Sequence, residues 1–505
     1  MLLICWALLL TQANAQHVNR DLFIKDSLDI YMSRALTNWR IPGAAVCIVK
    51  DDKIVLMKGY GIKELGLADK VTDKTVFMIG DNTAPFTATA MLMLEAGKKV
   101  SLDDKVTRYL PDFNLDDKVA SQQVTLRDLL THRLGFEPNQ GDFTFYNTNL
   151  SALQIIEKMK LMKAPYPFRS KWGYSDADYT VLSETIPYIS GKTWDAYLTD
   201  NVFTALGMTN TIPNTKSLKY VINKAVPHTY VDGRLTAIPY ARLEGTAAAN
   251  GICTTVNDMG KWVLALLADG KVNNKSVIPA TVISAMQQQQ ITVGKVKRLN
   301  GETGEQQYGL GWFLESYAGH KLVMSNGRVN GYTSSVTLVP EEHLGIIVLT
   351  NTDQSQLPGA LCWEILDAFF KLPYRNYSNQ YLKAFKAQMD KKQQVDSYLL
   401  DSVALNLQPG LPAANYTGKY NNELYGIMTV TRGENNDLEM RFEHHPTMFV
   451  RLQPLGGNRF FATFSDPLYG KAVFSFTFKS GAITAVTVKV DDKVERGAYE
   501  FRKMD

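Results

Sequence analysis

Apolar positions along the chain change their period from one region to the next. Residues 43–60 hold two apolar stretches, GAAVCIV and IVLMKGY, around the charged turn Lys50-Asp51-Asp52-Lys53, a spacing that predicts a β-hairpin. From Phe86 to Leu94 the apolar residues recur with helical spacing, and Gly97 stands where such a helix ends. The stretch 100–270 is rich in helical patterns broken by Gly and Pro, among them VTLRDLLTHRLG and NDMGKWVLALLADG. Strand patterns return in YGLGWFLE, SSVTLVP and LGIIVLT. Strands therefore come from both ends of 16–375 and helices from its middle, which predicts an α/β sandwich with an inserted helical region. Residues 376–405 are polar and helical in pattern, a connector. Beyond Pro409 and Pro412 the texture turns to short strands: YTGKY, IMTVTR, LEMRFE, RFFATFS, AVFSFTFK, AITAVTVKV and AYEFRK. These predict a small antiparallel β barrel over 406–505, with Phe449, Phe460 and Phe461 in its core.

The apolar run LLICWALLL at 2–10 is followed by Ala13-Asn14-Ala15, the small-x-small pattern of a secretory signal cleaved after Ala15, although no basic residue precedes the run. Export to the periplasm or the medium follows from that reading. Beyond the leader no stretch is long and apolar enough to span a bilayer. The 54 basic and 50 acidic residues leave a net charge of +4, too weak for a nucleic-acid or membrane-surface footprint. Cys47, Cys253 and Cys362 are scattered among apolar residues and read as small core side chains, not as a disulfide framework.

Six blocks carry a further signal: IPGAAVCIVKDDKIVLMKGYG, FMIGDNTAPFTATAMLMLEAGKKVSLDD, VTLRDLLTHRLGF, WGYSDADYTVLSE, ANGICTTVNDMGKW and NGRVNGYTSSVTLVP. In order and spacing they resemble the serine β-lactamase and penicillin-binding-protein superfamily, in the branch of class C enzymes and esterases. The tail from NYTGKYNNELYGIMTV onward resembles the lipocalin-like domain often fused to these hydrolases. The resemblance implies an α/β (α+β) fold, with an antiparallel sheet flanked by helices, an all-helical subdomain and a C-terminal barrel. No cofactor is implied.

The resemblance fails at the chemistry. Family members carry Ser-x-x-Lys at the start of the central helix, where Ser attacks an acyl carbonyl and Lys takes its proton. Here the segment is Asp81-Asn82-Thr83-Ala84, so nucleophile and base are both gone. The family's Tyr-x-Asn is Tyr174-Ser175-Asp176, and a glycine expected soon after is Asp178. The edge-strand Lys-Thr-Gly or His-x-Gly is Ser325-Asn326-Gly327, which keeps the glycine and loses the cation. By the resemblance, the N–H groups of Asp81 and Arg328 stand at the oxyanion hole, where a carboxylate would repel an oxyanion.

Each aspartate has a structural explanation: Asp81 as a helix N-cap, Asp176 as a turn residue. Together they place two carboxyls in one cleft without a motif lysine, so mutual repulsion holds one protonated near neutrality. The helix N-terminus favours the charged form at Asp81. Asp81 then reads as base or nucleophile and Asp176 as acid, helped by Tyr174, the machinery of glycoside hydrolysis. Asn82, Asn250, Ser325, Asn326, Gly327 and Arg328 form the expected polar lining for a small-molecule or oligosaccharide substrate. Three other readings compete. One is a pseudoenzyme that binds a cell-wall or peptide ligand, and another is acyl hydrolysis through Ser175 or Ser325. The last is a cation site on Asp81, Asp176 and Asp178, which lack a loop motif for it. Glu244 is a spare acid. His132 reads as structural, His444 and His445 lie in the barrel, and no zinc motif is present.

Overall fold

A computed structural model describes residues 23–298, 301–433 and 437–504; the leader read at 1–15 lies outside the described residues. After helix α1 (Leu28–Trp39), strands β1 (Gly43–Lys50) and β2 (Lys53–Gly61) form the expected hairpin. Asp51 and Asp52 both have positive φ, 51° and 61°, the two-residue turn whose twist matches that of the strands it joins. Helices α2 (Ala84–Ala96), α3 (Asp176–Ser190) and α4 (Val256–Leu267) follow. The chain then returns to the sheet as β3 (Ile291–Lys297), β4 (Thr303–Tyr308), β5 (Phe313–Tyr317), β6 (His320–Val329), β7 (Tyr332–Val339) and β8 (Leu344–Thr350). The order is β2-β1-β8-β7-β6-β5-β4-β3, antiparallel throughout, with Cys47 opposite Ile347 where the two ends of the region meet.

Strand β1 is buried on both faces, which is why GAAVCIV reads as an unbroken apolar run and not as an alternation. Ala44, Val46 and Ile48 share a core with Leu28 and Met32 of α1 and with Leu361 and Ile365 of helix α5 (Leu357–Phe369). Ala45, Cys47 and Val49 face the other core with Trp262 and Val263 of α4. Cys47, Cys253 and Cys362 are free and buried. Helix α2 is apolar on nearly every side and is a core helix, begun by Pro85 in its first turn. Phe86 stacks on Trp262 with ring centroids 4.3 Å apart. Gly97 caps α2 with right-handed backbone, and the left-handed residue is Lys98, one position later.

Helix α6 (Tyr377–Ala404) is mostly exposed, and the Asn376 side chain accepts from Asn379 N–H at its start. Among the described residues no helix is long and apolar enough to cross a membrane. The C-terminal strands close into an eight-stranded barrel. One of them, Phe449–Pro454, was missing from the seven strand segments read in the sequence. Phe449 corrects its assignment to the core: it is 37% exposed and lies under the Arg441 guanidinium. Phe460 and Phe461 are fully buried.

The barrel is locked to the rest of the chain by a ring from outside it. Phe143, in the helical turn Asp142–Phe145, packs among Tyr425, Phe442, His445, Tyr469 and Tyr499 of the barrel. Around it, His445 Nε2 meets the Phe143 carbonyl at 2.6 Å, and the Glu495 carboxylate accepts from Gly141 N–H (2.8 Å) and Phe143 N–H (3.0 Å). Phe143→Ala should therefore cost about 3–5 kcal/mol of unfolding free energy in urea titration. A loss below about 1 kcal/mol, an ordinary surface effect, would show that this ring is not what docks the barrel.

Candidate active site

The site begins where the turn Gly80–Thr83, just ahead of α2, touches the end of β6. Gly80 has φ +55°, and a Cβ there would lie 2.7 Å from the Arg328 carbonyl oxygen. A Cβ on Gly327 would lie 1.9 Å from the Ile79 carbonyl oxygen. Both glycines are required because two backbones run against each other. The Asn82 amide, oriented to suit its neighbours, accepts from Gly327 N–H (3.2 Å) and donates to the Ser325 carbonyl and hydroxyl (3.0 Å each). Asn82 and Ser325 are thus buried supports that join turn to strand, a correction to their expected place in the lining.

Asp81 makes no N-cap bond. Its Oδ1 accepts from the Tyr174 hydroxyl at 3.0 Å and its Oδ2 from Arg328 N–H at 3.2 Å. The backbone donors that the family resemblance assigns to an oxyanion hole are turned on this carboxylate. Burial pushes its pKa up to about 6, against the Arg328 N–H, the Tyr174 hydroxyl and the Arg328 guanidinium, which favour the charged form.

Asp176 opens α3 and is 2% exposed. Its Oδ2 accepts from the Asn250 amide at 2.6 Å, and Asn250 is in turn held by the Thr246 hydroxyl at 3.0 Å. Burial, and after it the charge of Asp81, push Asp176 up to about 7; Tyr174 and Asn250 oppose them. The Tyr174 hydroxyl therefore acts on both carboxyls.

Asp81, Tyr174, Asp176, Asn250, Asn326 and Arg328 all line one cavity of about 980 Å³. Gly327 contributes only its close backbone approach. The outer wall of the cavity comes from α6 and from barrel residues, including Phe385, Met389, Phe464 and Lys493. The floor includes a third acid absent from the sequence reading, Asp142. It lies in GDFTFYN, which matches no motif, and only the tertiary fold brings it beside Asp176. Burial, then the charges of Asp176, Glu495, Asp81 and Asp178, push its pKa well up.

Asp178 belongs elsewhere. Ser175 N–H donates to His132 Nδ1 (3.3 Å), which makes that nitrogen an acceptor, and the Asp178 carboxyl lies 3.0 Å from it with the proton between them. Burial drives both groups neutral, His132 down to about 3 and Asp178 well up. Among the described residues no group of three His, Cys, Asp or Glu side chains converges to hold a metal ion. Ser175 and Ser325 are buried outside the cavity lining, which removes both as substitute nucleophiles. Glu244 is exposed and accepts from Thr215.

Comparison with known proteins agrees with this architecture. The family described as Beta-lactamase matches residues 28–368, and a domain of unknown function, DUF3471, matches 405–503. The unguisins hydrolase ungD of Aspergillus violaceofuscus is 24% identical over 464 residues, 85% of this chain and 81% of that protein. Protein flp of Staphylococcus aureus strain MRSA252 is 24% identical over 342 residues, 66% of this chain and 64% of its own. In fold the chain is similar to the octameric penicillin-binding protein homologue from Pyrococcus abyssi, with TM-score 0.61 and 19% identity over 94% of this chain and 99% of that one. A crystal structure of SurE has TM-score 0.57 and 17% identity over 96% and 100%. With two thirds of its length matched and the sheet, helices and cleft in place, the chain belongs to the β-lactamase family.

Proposed function

We propose that the protein is an exported hydrolase that cleaves a glycoside, with the Asp81–Asp176 pair in place of the family's serine and lysine. The observation that carries this reading is the pair itself: two carboxyls on one cavity, linked through Tyr174, with pKa values raised to about 6 and about 7. Near neutrality one is ionised and the other protonated, the division of labour that glycoside hydrolysis needs. Asp176 gives its proton to the glycosidic oxygen as the C–O bond breaks. Asp81 supplies the electron pair, to the anomeric carbon or to a proton of the attacking water, and Tyr174 steadies it. Asn250, Asn326 and Arg328 line the cavity for a hydroxyl-rich small molecule or oligosaccharide. Hydrolysis in general is supported by the name of the ungD relative. Export is supported by the leader at 1–15.

One observation favours a second reading, a binding protein without turnover: both Asp81 oxygens are already satisfied by Tyr174 and Arg328. A panel of aryl glycosides separates the two. On the cleaved glycoside, Asp81→Asn should lower turnover by about 10²–10⁴-fold. No turnover by the wild type, with ligand binding kept in Asp81→Asn, would select the binding protein.

The rate should rise as Asp81 ionises near pH 6 and fall as Asp176 loses its proton near pH 7, a narrow bell in kcat/KM. A flat profile from pH 5 to 8 would discard the pair. Stability follows the same shift. Folding raises the Asp176 pKa from 3.8 to about 7, so the folded state loses stability as pH climbs through that window and no more above it. Asp176→Asn should accordingly stabilise the protein by up to about 4 kcal/mol at pH 8 and by almost nothing near pH 4, read by denaturant unfolding at both values.

A further inference from the structure

The cavity floor holds a carboxyl that no group of the protein satisfies. Oδ1 of Asp142 is buried without a hydrogen-bond partner among the described residues, and the residue is 7% exposed. After burial, the largest influences on it come from other acids: Asp176, Glu495, Asp81 and Asp178. The N–H groups of Gly141 and Phe143, which begin its helical turn, are taken by Glu495 from the barrel. The Arg328 guanidinium favours the charged form of Asp81. Three further residues lining the same cavity carry an unpaired buried acceptor, Oδ1 of Asp176, of Asn330 and of Asp353.

Unpaired acceptors at Asp142 and its neighbours select a ligand that brings donors, in a cavity whose wall also carries Arg40, Arg328, Lys386, Lys392, Lys471 and Lys493. A hydroxyl brings one hydrogen and no charge. A metal ion needs several ligands at one point, and no such group occurs among the described residues. A protonated amine brings three hydrogens and a full charge on a group small enough to reach the floor of a cavity of about 980 Å³. We propose that Asp142 is the receptor for a protonated primary amine carried by the substrate. As the ammonium binds, Asp142 releases its proton to solvent, and the carboxylate–ammonium pair so formed is neutral, so the proton on Asp176 stays where cleavage needs it. That last role rests on the glycosidase reading; recognition of the amine does not.

The test is calorimetric binding to the full-length chain in an Asp81→Asn background, so that turnover does not consume the ligand. Two matched pairs serve as probes: the β-linked glucosamine trimer against its fully N-acetylated form, and dialanine against N-acetyl-dialanine. In at least one pair the free amine should bind tenfold or more tightly than its acetylated partner. Asp142→Asn, equal in size and checked for an unchanged melting temperature, should bring the two within twofold while leaving the acetylated ligand's affinity in place. No preference for the amine in either pair, no binding by either amine, or a preference that survives Asp142→Asn overturns the proposal. A preference confined to the dipeptide pair keeps the receptor and removes the glycoside reading.

Discussion

The close approach of two backbones decides this site. Gly80 on the turn before α2 and Gly327 on β6 let main chain lie against main chain where any side chain would collide. That contact brings the Arg328 N–H within 3.2 Å of the Asp81 carboxylate and sets α2, the buried post of the molecule, against the sheet. Asn82 fastens the joint through Ser325 and Gly327. At this joint the Arg328 N–H donates to a carboxylate that belongs to the protein itself.

Electrostatics follow from unequal compensation. Asp81 has two hydrogen bonds and a nearby guanidinium, Asp176 has the Asn250 amide and a shared tyrosine, and Asp142 has an Oδ1 without a partner among the described residues. Burial raises all three, and the compensation ranks them. The barrel takes part in that ranking, because Glu495 occupies the helix-start donors beside Asp142 while Phe143 fills a pocket of barrel aromatics. The domain boundary in the sequence is therefore no boundary for the site.

Much of the fold was legible. The hairpin at 43–61, the buried strand at 344–350, the core helix over 84–96 and the barrel strands were readable from period and turn chemistry, because the apolar pattern of each element is local even where its sheet partner is remote, as Ile347 is from Cys47. The strand Phe449–Pro454 was not, since only Val450 and Leu452 of its six residues are buried and its first phenylalanine faces out. Asp81, Tyr174 and Asp176 stand out in the sequence because they fall where it resembles the family's motifs, and the fold puts all three on one cavity. Asp142 and Glu495 were not: one lies in a helical turn and the other 353 positions later in the barrel, with no pattern linking them.

By itself the sequence determined the family scaffold and set Asp81 and Asp176 at positions that resemble the family's motifs, because residue identity at a position is a local property. Tertiary structure decided what those acids touch. It turned Asp178 towards His132, buried Asn82 and Ser325 as supports and gathered Asp142 with Asp81 and Asp176 on one cavity. The reason is physical: desolvation and charge repulsion act through space over a few ångströms, and the distances that set them exist only once sheet, helices and barrel have packed.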